Sequence, residues 1–233
     1  MRICPPEIAA LVFDFDRTLA PLGNLVRWRV AHEEMRKHYA AAGIADEVLG
    51  AAPRGCFGLY RHVALAAGLD PAALARLQAE VSAILARFEE EGIAGVAPYA
   101  DAEPLLRALP EMSLRAAIVS SNPEGVIRAV LARHGLEERF AAVVGREGLA
   151  EIKPSPDGML RCAAALALSP ARCLGVGDNA GDVAASLAAG MPAIGVATGV
   201  STRAQLLAAG ARAVFSSLEE LHAQLRSERL KTS

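Results

Sequence analysis

Apolar residues along this chain follow two patterns that occupy separate stretches. Short, continuously apolar runs recur at "IAALVF" (8–13), "LRAAIVS" (114–120), "AAVVG" (141–145), "CLGVG" (173–177) and "AIGVA" (193–197). None alternates with polar residues, which suits strands buried on both faces of a parallel sheet. Between the later runs lie helix-like stretches: "PEGVIRAVLARHG", "SPDGMLRCAAALAL", "NAGDVAASLAAG" and "STRAQLLAAG". Several open on Ser, Asp or Pro and close on Gly, as helix ends do. Strand and helix in alternation predict β-α-β units. The expected fold is therefore α/β, a Rossmann-like parallel sheet with helices on both faces.

One interval breaks the alternation. From Pro21 to Ala94 there is no strand pattern, only amphipathic stretches such as "NLVRWRVAHEEMRKHYAAAG", "GLYRHVALAAG" and "DPAALARLQAEVSAILARFEEEG". The last has Asp70 placed as N-cap and Pro71 at the first helical position. Gly43, Pro53 to Gly55 and Gly68 punctuate the interval. These features predict a small all-α domain at residues 21–94, inserted after the first strand and dividing a core domain into 1–20 and 95–233. The hinges are expected near Ala20–Gly23 and Gly92–Pro98.

Ligands of an open parallel sheet bind beyond the carboxyl ends of its strands. The residues just past each apolar run therefore carry the functional information. Asp14, Asp16 and Thr18 come after the first, and Ser120, Ser121 and Asn122 after the second. Lys153, in "GREGLAEIKPSPD", comes after the third, and Asp178 and Asp182, in "GDNAGD", after the fourth. Carboxylates crowded at one point repel each other and raise their own pKa values. A hard divalent cation with oxygen ligands relieves that conflict, and Mg2+ suits a site whose coordination is shared with phosphate. A lysine and hydroxyl donors suit phosphate oxygens. The set predicts phosphoryl transfer, with one aspartate as nucleophile and its neighbour as general acid and base.

Composition narrows the rest. Lys plus Arg total 24 against 26 Asp plus Glu, a balance that argues against a nucleic-acid partner. Only three of the basic residues are lysines, which makes Lys153 in an interior motif informative. No apolar run approaches the ~18 residues of a membrane span, so no membrane partner is expected. The N-terminal apolar run is too short for a secretory signal and ends in carboxylates. Four cysteines without a C-x-x-C pair read as reduced thiols of a cytoplasmic protein. The expected partner is a small phosphorylated metabolite, and the expected state a monomer or homodimer.

"DFDRT", "IVSSN", "KPSPD" and "GVGDNAGD", in that order, resemble the four motifs of the haloacid dehalogenase-like hydrolase superfamily. The helical insert resembles that family's cap. The tail "GVATGVSTRAQLLAAGARAVFSSLEEL" is similar to the end of its phosphoglycolate phosphatase-like branch. The resemblance implies that Asp14 is the nucleophile and that Asp16 is the general acid and base. It also implies that the Asp16 main-chain carbonyl meets the metal and that Thr18 orients the Asp16 side chain. Ser120, with Ser121 and Asn122, would bind phosphate, Lys153 would hold phosphate and nucleophile together, and Asp178 and Asp182 would hold the metal with Asp14. Asp16 favours phosphoryl transfer over dehalogenation, which needs no proton for a halide. Two positions depart from the pattern: Arg17 stands where Gly is usual and Asn179 where Ser is common.

Within the insert, "APRGCFGLYRH" offers Arg54, Tyr60, Arg61 and His62 as residues able to read the substrate. The leading expectation is a Mg2+-dependent phosphatase acting on phosphoglycolate or a sugar phosphate. A phosphomutase of the β-phosphoglucomutase type uses the same phospho-aspartate and returns the phosphate to a sugar. A non-catalytic binding protein on the same fold is the alternative of a different class.

Overall fold

In the computed structural model, which describes residues 2–230, the apolar run before Asp14 forms strand β1 (Ala10–Phe13), with all of its residues buried. It is followed along the chain by β2 (Arg115–Val119), β3 (Ala142–Val144), β4 (Cys173–Gly177), β5 (Ala193–Val196) and β6 (Val214–Phe215). All pair in parallel, in the order β3-β2-β1-β4-β5-β6. The apolar runs account for β1 to β5. β6 spans only two residues, too short for a periodic signal, and exists through its pairing of Val214 with Gly195 and Phe215 with Val196.

The chain divides into two compact units, one comprising the segment up to Pro21 together with everything from Val96 onward, the other Leu22–Gly95. In the second unit lie α1 (Trp28–Ala41), α2 (Asp46–Ala51), α3 (Cys56–Ala66) and α4 (Pro71–Gly92). α1 buries Ala31, Met35 and Tyr39, and α4 buries Leu77, Val81, Leu85 and Phe88, both at helical spacing. The Asp70 carboxylate caps α4 by accepting from the Ala72 and Ala73 N–H groups, each at 3.0 Å. Buried polar groups are also partnered here. The Tyr39 hydroxyl donates to Gln78 Oε1 at 3.1 Å, and Gln78 Nε2 donates to the Tyr60 carbonyl at 3.0 Å.

In the first unit the sheet is flanked by α5 (Ala102–Ala108), α6 (Glu124–Arg133), α7 (Asp157–Ala165), α8 (Ala180–Ala188), α9 (Arg203–Ala208) and α10 (Leu218–Leu230). Met159, Cys162 and Ala163 of α7 and Ala185 of α8 pack with Ala10, Val12, Ala117 and Val119 of the sheet. Full burial of a side chain the size of Val or Met stabilises by roughly 1.5–3 kcal/mol, so this layer contributes to holding the helices on the sheet. Among the described residues no helix is long and apolar enough to cross a membrane.

Register then sets the site. Val12 lies beside Ala117 and Gly175, and Phe13 beside Ile118 and Val176. The residues that continue β1, β2 and β4 therefore emerge together at the carboxyl edge. The Asp14 N–H still donates to the Val176 carbonyl at 2.8 Å, and that of Ser120 to the Val144 carbonyl at 3.0 Å.

Candidate active site

At that edge, Asp14, Asp178 and Asp182 are all buried and each offers a carboxylate oxygen within 4.8 Å of the others. The Lys153 ammonium sits among them. It donates to Asp14 Oδ1 and pairs with Asp182 Oδ1 at 2.5 Å, and it reaches the Val119 carbonyl at 3.3 Å. The lysine side chain is only 9% exposed, so water screens these charges little.

The electrostatics follow from that crowding. Burial pushes the Asp14 carboxyl well above the ordinary range; Lys153 draws it down, and Asp182 and Asp178 push it up. Burial, aided by Asp182, raises Asp178 to about 6, against the pull of the Val200 N–H and of Lys153. For Lys153 burial works against the ammonium, but Asp14 and Asp182 hold its pKa above the usual lysine value. Three buried carboxylates face one ammonium. The donor set is all oxygen, which fits a hard divalent cation and offers nothing to a soft one.

Asp182 is held by local chemistry as well. Asn179 is the N-cap of α8: its side chain accepts from the Gly181 N–H at 2.8 Å, and Asp182 Oδ2 accepts from the Asn179 N–H at 3.0 Å. One oxygen of Asp182 therefore caps the helix while the other meets Lys153. Its first-turn position and its place beside the lysine belong to the same geometry.

Asp16 lies half-buried in the turn after β1, and its side chain is not part of the carboxylate trio. Arg17 follows it at φ 61°, the left-handed region that glycine enters freely and other L-residues enter at a cost. An arginine thus occupies a position whose backbone glycine would adopt without that steric cost. The Thr18 hydroxyl, completely buried, donates to Asp178 Oδ1 at 3.3 Å. Thr18 thus braces the β4 loop, a contact that its proximity to Asp16 in sequence does not announce.

Beyond β2, Ser120 and Asn122 are buried and linked. The Ser120 hydroxyl donates to Asn122 Oδ1 at 2.9 Å and accepts from the Asn122 N–H at 3.2 Å. Ser121 is half-buried, and its carbonyl accepts from the Arg146 guanidinium at 2.5 Å. Arg146 is only 2% exposed, and its N–H also donates to the Asn122 carbonyl at 2.9 Å. Nothing in the sequence marks Arg146, because an arginine in a polar loop reads as solvated. Tyr99 is equally unmarked, and its phenol is raised by burial and then by the charges of Asp16 and Asp178.

The remaining expected residues lie in the helical unit. Arg54 is exposed in the turn before α3, whereas Tyr60, Arg61 and His62 are half-buried within α3 itself. The loop around Arg54 is shorter than its Gly and Pro content suggests. It ends at Gly55, at φ 93°, after which Cys56–Ala66 contains nothing that breaks a helix except the tolerated Gly58.

A family model described as haloacid dehalogenase-like hydrolase matches residues 8–190. No curated protein matches the chain. Among solved structures, the chain is similar to a hydrolase from Pseudomonas syringae at 21% identity, covering 94% of this chain and 98% of that one, with a TM-score of 0.70. It is also similar to a predicted phosphoglycolate phosphatase from Haemophilus somnus 129pt, at 20% identity over 93% and 97% of the two chains, TM-score 0.64. A third is CbbY from Rhodobacter sphaeroides in complex with phosphate, at 22% identity over 94% and 99%, TM-score 0.63. At such identities the likeness is one of fold.

Proposed function

The chain belongs to the haloacid dehalogenase-like hydrolases, and from that premise we propose that it is a Mg2+-dependent phosphatase of small phosphorylated metabolites that works through a phospho-Asp14 intermediate. The observation that carries this reading is Lys153 bonded to both Asp14 and Asp182 inside a buried trio of carboxylates at the sheet's carboxyl edge.

In the first step an Asp14 carboxylate oxygen bonds to phosphorus as the ester P–O bond breaks, and protonated Asp16 gives its proton to the departing alkoxide. In the second, ionised Asp16 takes a proton from water. The water oxygen bonds to phosphorus, the Asp14–phosphorus bond breaks and inorganic phosphate leaves. Lys153 stays protonated throughout, holding Asp14 in place and facing the phosphate charge. Ser120, Ser121 and Asn122 supply donors to the phosphate oxygens, and Arg146 supports the backbone that presents them. Asp14, Asp178 and Asp182, with the Asp16 main-chain carbonyl, would hold Mg2+. When bound, the cation neutralises phosphate charge and lets the carboxylates stay ionised together.

The residues 21–94 act in this proposal as the family's cap, with Arg54, Tyr60, Arg61 and His62 as its selectivity residues. Phosphoglycolate or a sugar phosphate is the proposed substrate class. It rests on the likeness of the tail and on what the Haemophilus somnus protein is named for. A panel of phosphorylated metabolites, assayed for phosphate release with Mg2+ and with chelator, tests the reading. Release that depends on Mg2+ supports it. Isomerisation of a sugar phosphate without free phosphate would show a phosphomutase, and binding without turnover would show a non-catalytic protein.

A further inference from the structure

The aspartate motifs are joined by a segment that none of them includes, the stretch between β5 and α9. It is pinned at both ends. The Ala197 N–H donates to the Phe215 carbonyl at 2.8 Å, and Thr202 closes a capping box with Gln205 at the start of α9. Between those points it reaches both halves of the carboxylate site. The Val200 N–H donates to Asp178 Oδ2 at 2.9 Å, while Thr18 holds Oδ1 of the same carboxylate. The Ser201 N–H donates to the Asp178 carbonyl at 3.3 Å, and the Ser201 hydroxyl accepts from the Ala180 N–H at 3.0 Å. On the other side, the Thr198 hydroxyl donates to the Arg17 carbonyl, within the turn that carries Asp16 and Thr18.

Gly199 is what lets the segment lie so close. A Cβ built there falls onto the Asp178 carboxyl group itself. Its φ is not in the left-handed region, so the demand for glycine comes from space alone. With any side chain at 199, either the Asp178 carboxylate rotates away from Asp14 and Asp182 or the segment lifts and the Val200 bond breaks.

We infer that Thr198 and Gly199 are positioning residues that fix the Asp178 carboxylate for the divalent cation and lock the Arg17 turn to the β4 loop. The inference rests on the metal-dependent reading of the site. They act through Asp178 and the Arg17 carbonyl. Partners that orient a metal ligand are worth about 10–100-fold in metal affinity.

The experiment is a calorimetric titration with Mg2+ alone, no substrate present, on wild type, Gly199→Ala, Thr198→Val and Thr198→Ser, with melting temperatures taken in chelator. The expected result is a ~10–100-fold weaker Mg2+ dissociation constant for Gly199→Ala. Thr198→Val should weaken binding by less and Thr198→Ser should restore it, and melting in chelator shows that each variant compared is folded. Wild-type affinity in both Gly199→Ala and Thr198→Val overturns the inference and leaves the metal reading standing. If wild type binds no Mg2+, the metal reading falls and the inference falls with it. Should Gly199→Ala fail to fold, the Thr198 pair decides: wild-type affinity in Thr198→Val, or weakening by Val without recovery in Ser, overturns the inference.

Discussion

Lys153 Nζ donates to Asp14 Oδ1 across 139 positions of sequence, and the same ammonium pairs with Asp182. One buried cation thus separates two buried anions. Removing one partner of a buried ion pair destabilises strongly, by about 3–5 kcal/mol, because the other charge is left uncompensated. Lys153→Met should therefore lower stability by an amount of that order in chelator. Added Mg2+ should recover more stability in the variant than it adds to wild type, since the cation takes over the neutralising role. Urea denaturation with and without Mg2+ measures both, and a variant as stable as wild type in chelator would show that the pair does not carry the site.

Arg17 makes a different prediction. At φ 61° it carries the ~1–2 kcal/mol cost of a left-handed L-residue, while glycine carries a ~0.5–1 kcal/mol entropy cost of its own. The difference favours glycine by about 0–1.5 kcal/mol, so Arg17→Gly should be at least as stable as wild type. Arg17→Val, branched at Cβ, should be clearly less stable than either. The backbone bonds of the turn, Arg17 N–H to the Ala20 carbonyl at 2.6 Å and Thr198 to the Arg17 carbonyl, are available to all three. Urea unfolding of the three proteins checks the order; an Arg17→Gly protein far less stable than wild type would place the cost in the lost side chain instead.

Glu228 contributes a pH-dependent part of the stability in acid. Burial works to raise its pKa, but hydrogen bonds from the Ile3 and Cys4 N–H groups and from Gln224 bring it below the usual glutamate value. A depressed carboxyl stabilises the folded state while it is ionised. That stability is complete above the unfolded-state pKa and is lost as pH falls through the lower, folded-state value. Glu228→Gln should be less stable than wild type at neutral pH by about 1–3 kcal/mol. The gap should narrow as the pH drops below the usual carboxylate range. A gap that stays constant into acid would contradict the assignment.

The fold was largely legible because β1, β4 and β5 are wholly buried and β2 nearly so, which leaves apolar runs in the sequence. β6 escaped because two residues form no pattern. The gathering of Asp14, Lys153, Asp178 and Asp182 was legible for a topological reason: parallel strands release the residues that follow them at one edge. What escaped are the contacts between loops. Thr18 meets Asp178 across 160 positions, Thr198 meets the Arg17 carbonyl across 181, and Arg146 serves the Ser121 carbonyl. Residue type alone does not mark a buried arginine or a glycine required by a neighbouring carboxylate. Arg17 was visible as a departure from the family pattern, but its left-handed backbone was not.

The central claim is that Asp14 carries the phosphoryl group. Quenching a turnover mixture of wild type with an aryl phosphate and Mg2+, then reducing with borohydride, converts an acyl phosphate on aspartate into homoserine. Peptide mass spectrometry then reads the site. Homoserine at position 14, absent from unreacted enzyme and from an inactive Asp14→Asn variant, is the predicted result. Homoserine at any other aspartate, or full turnover by Asp14→Asn, would contradict it.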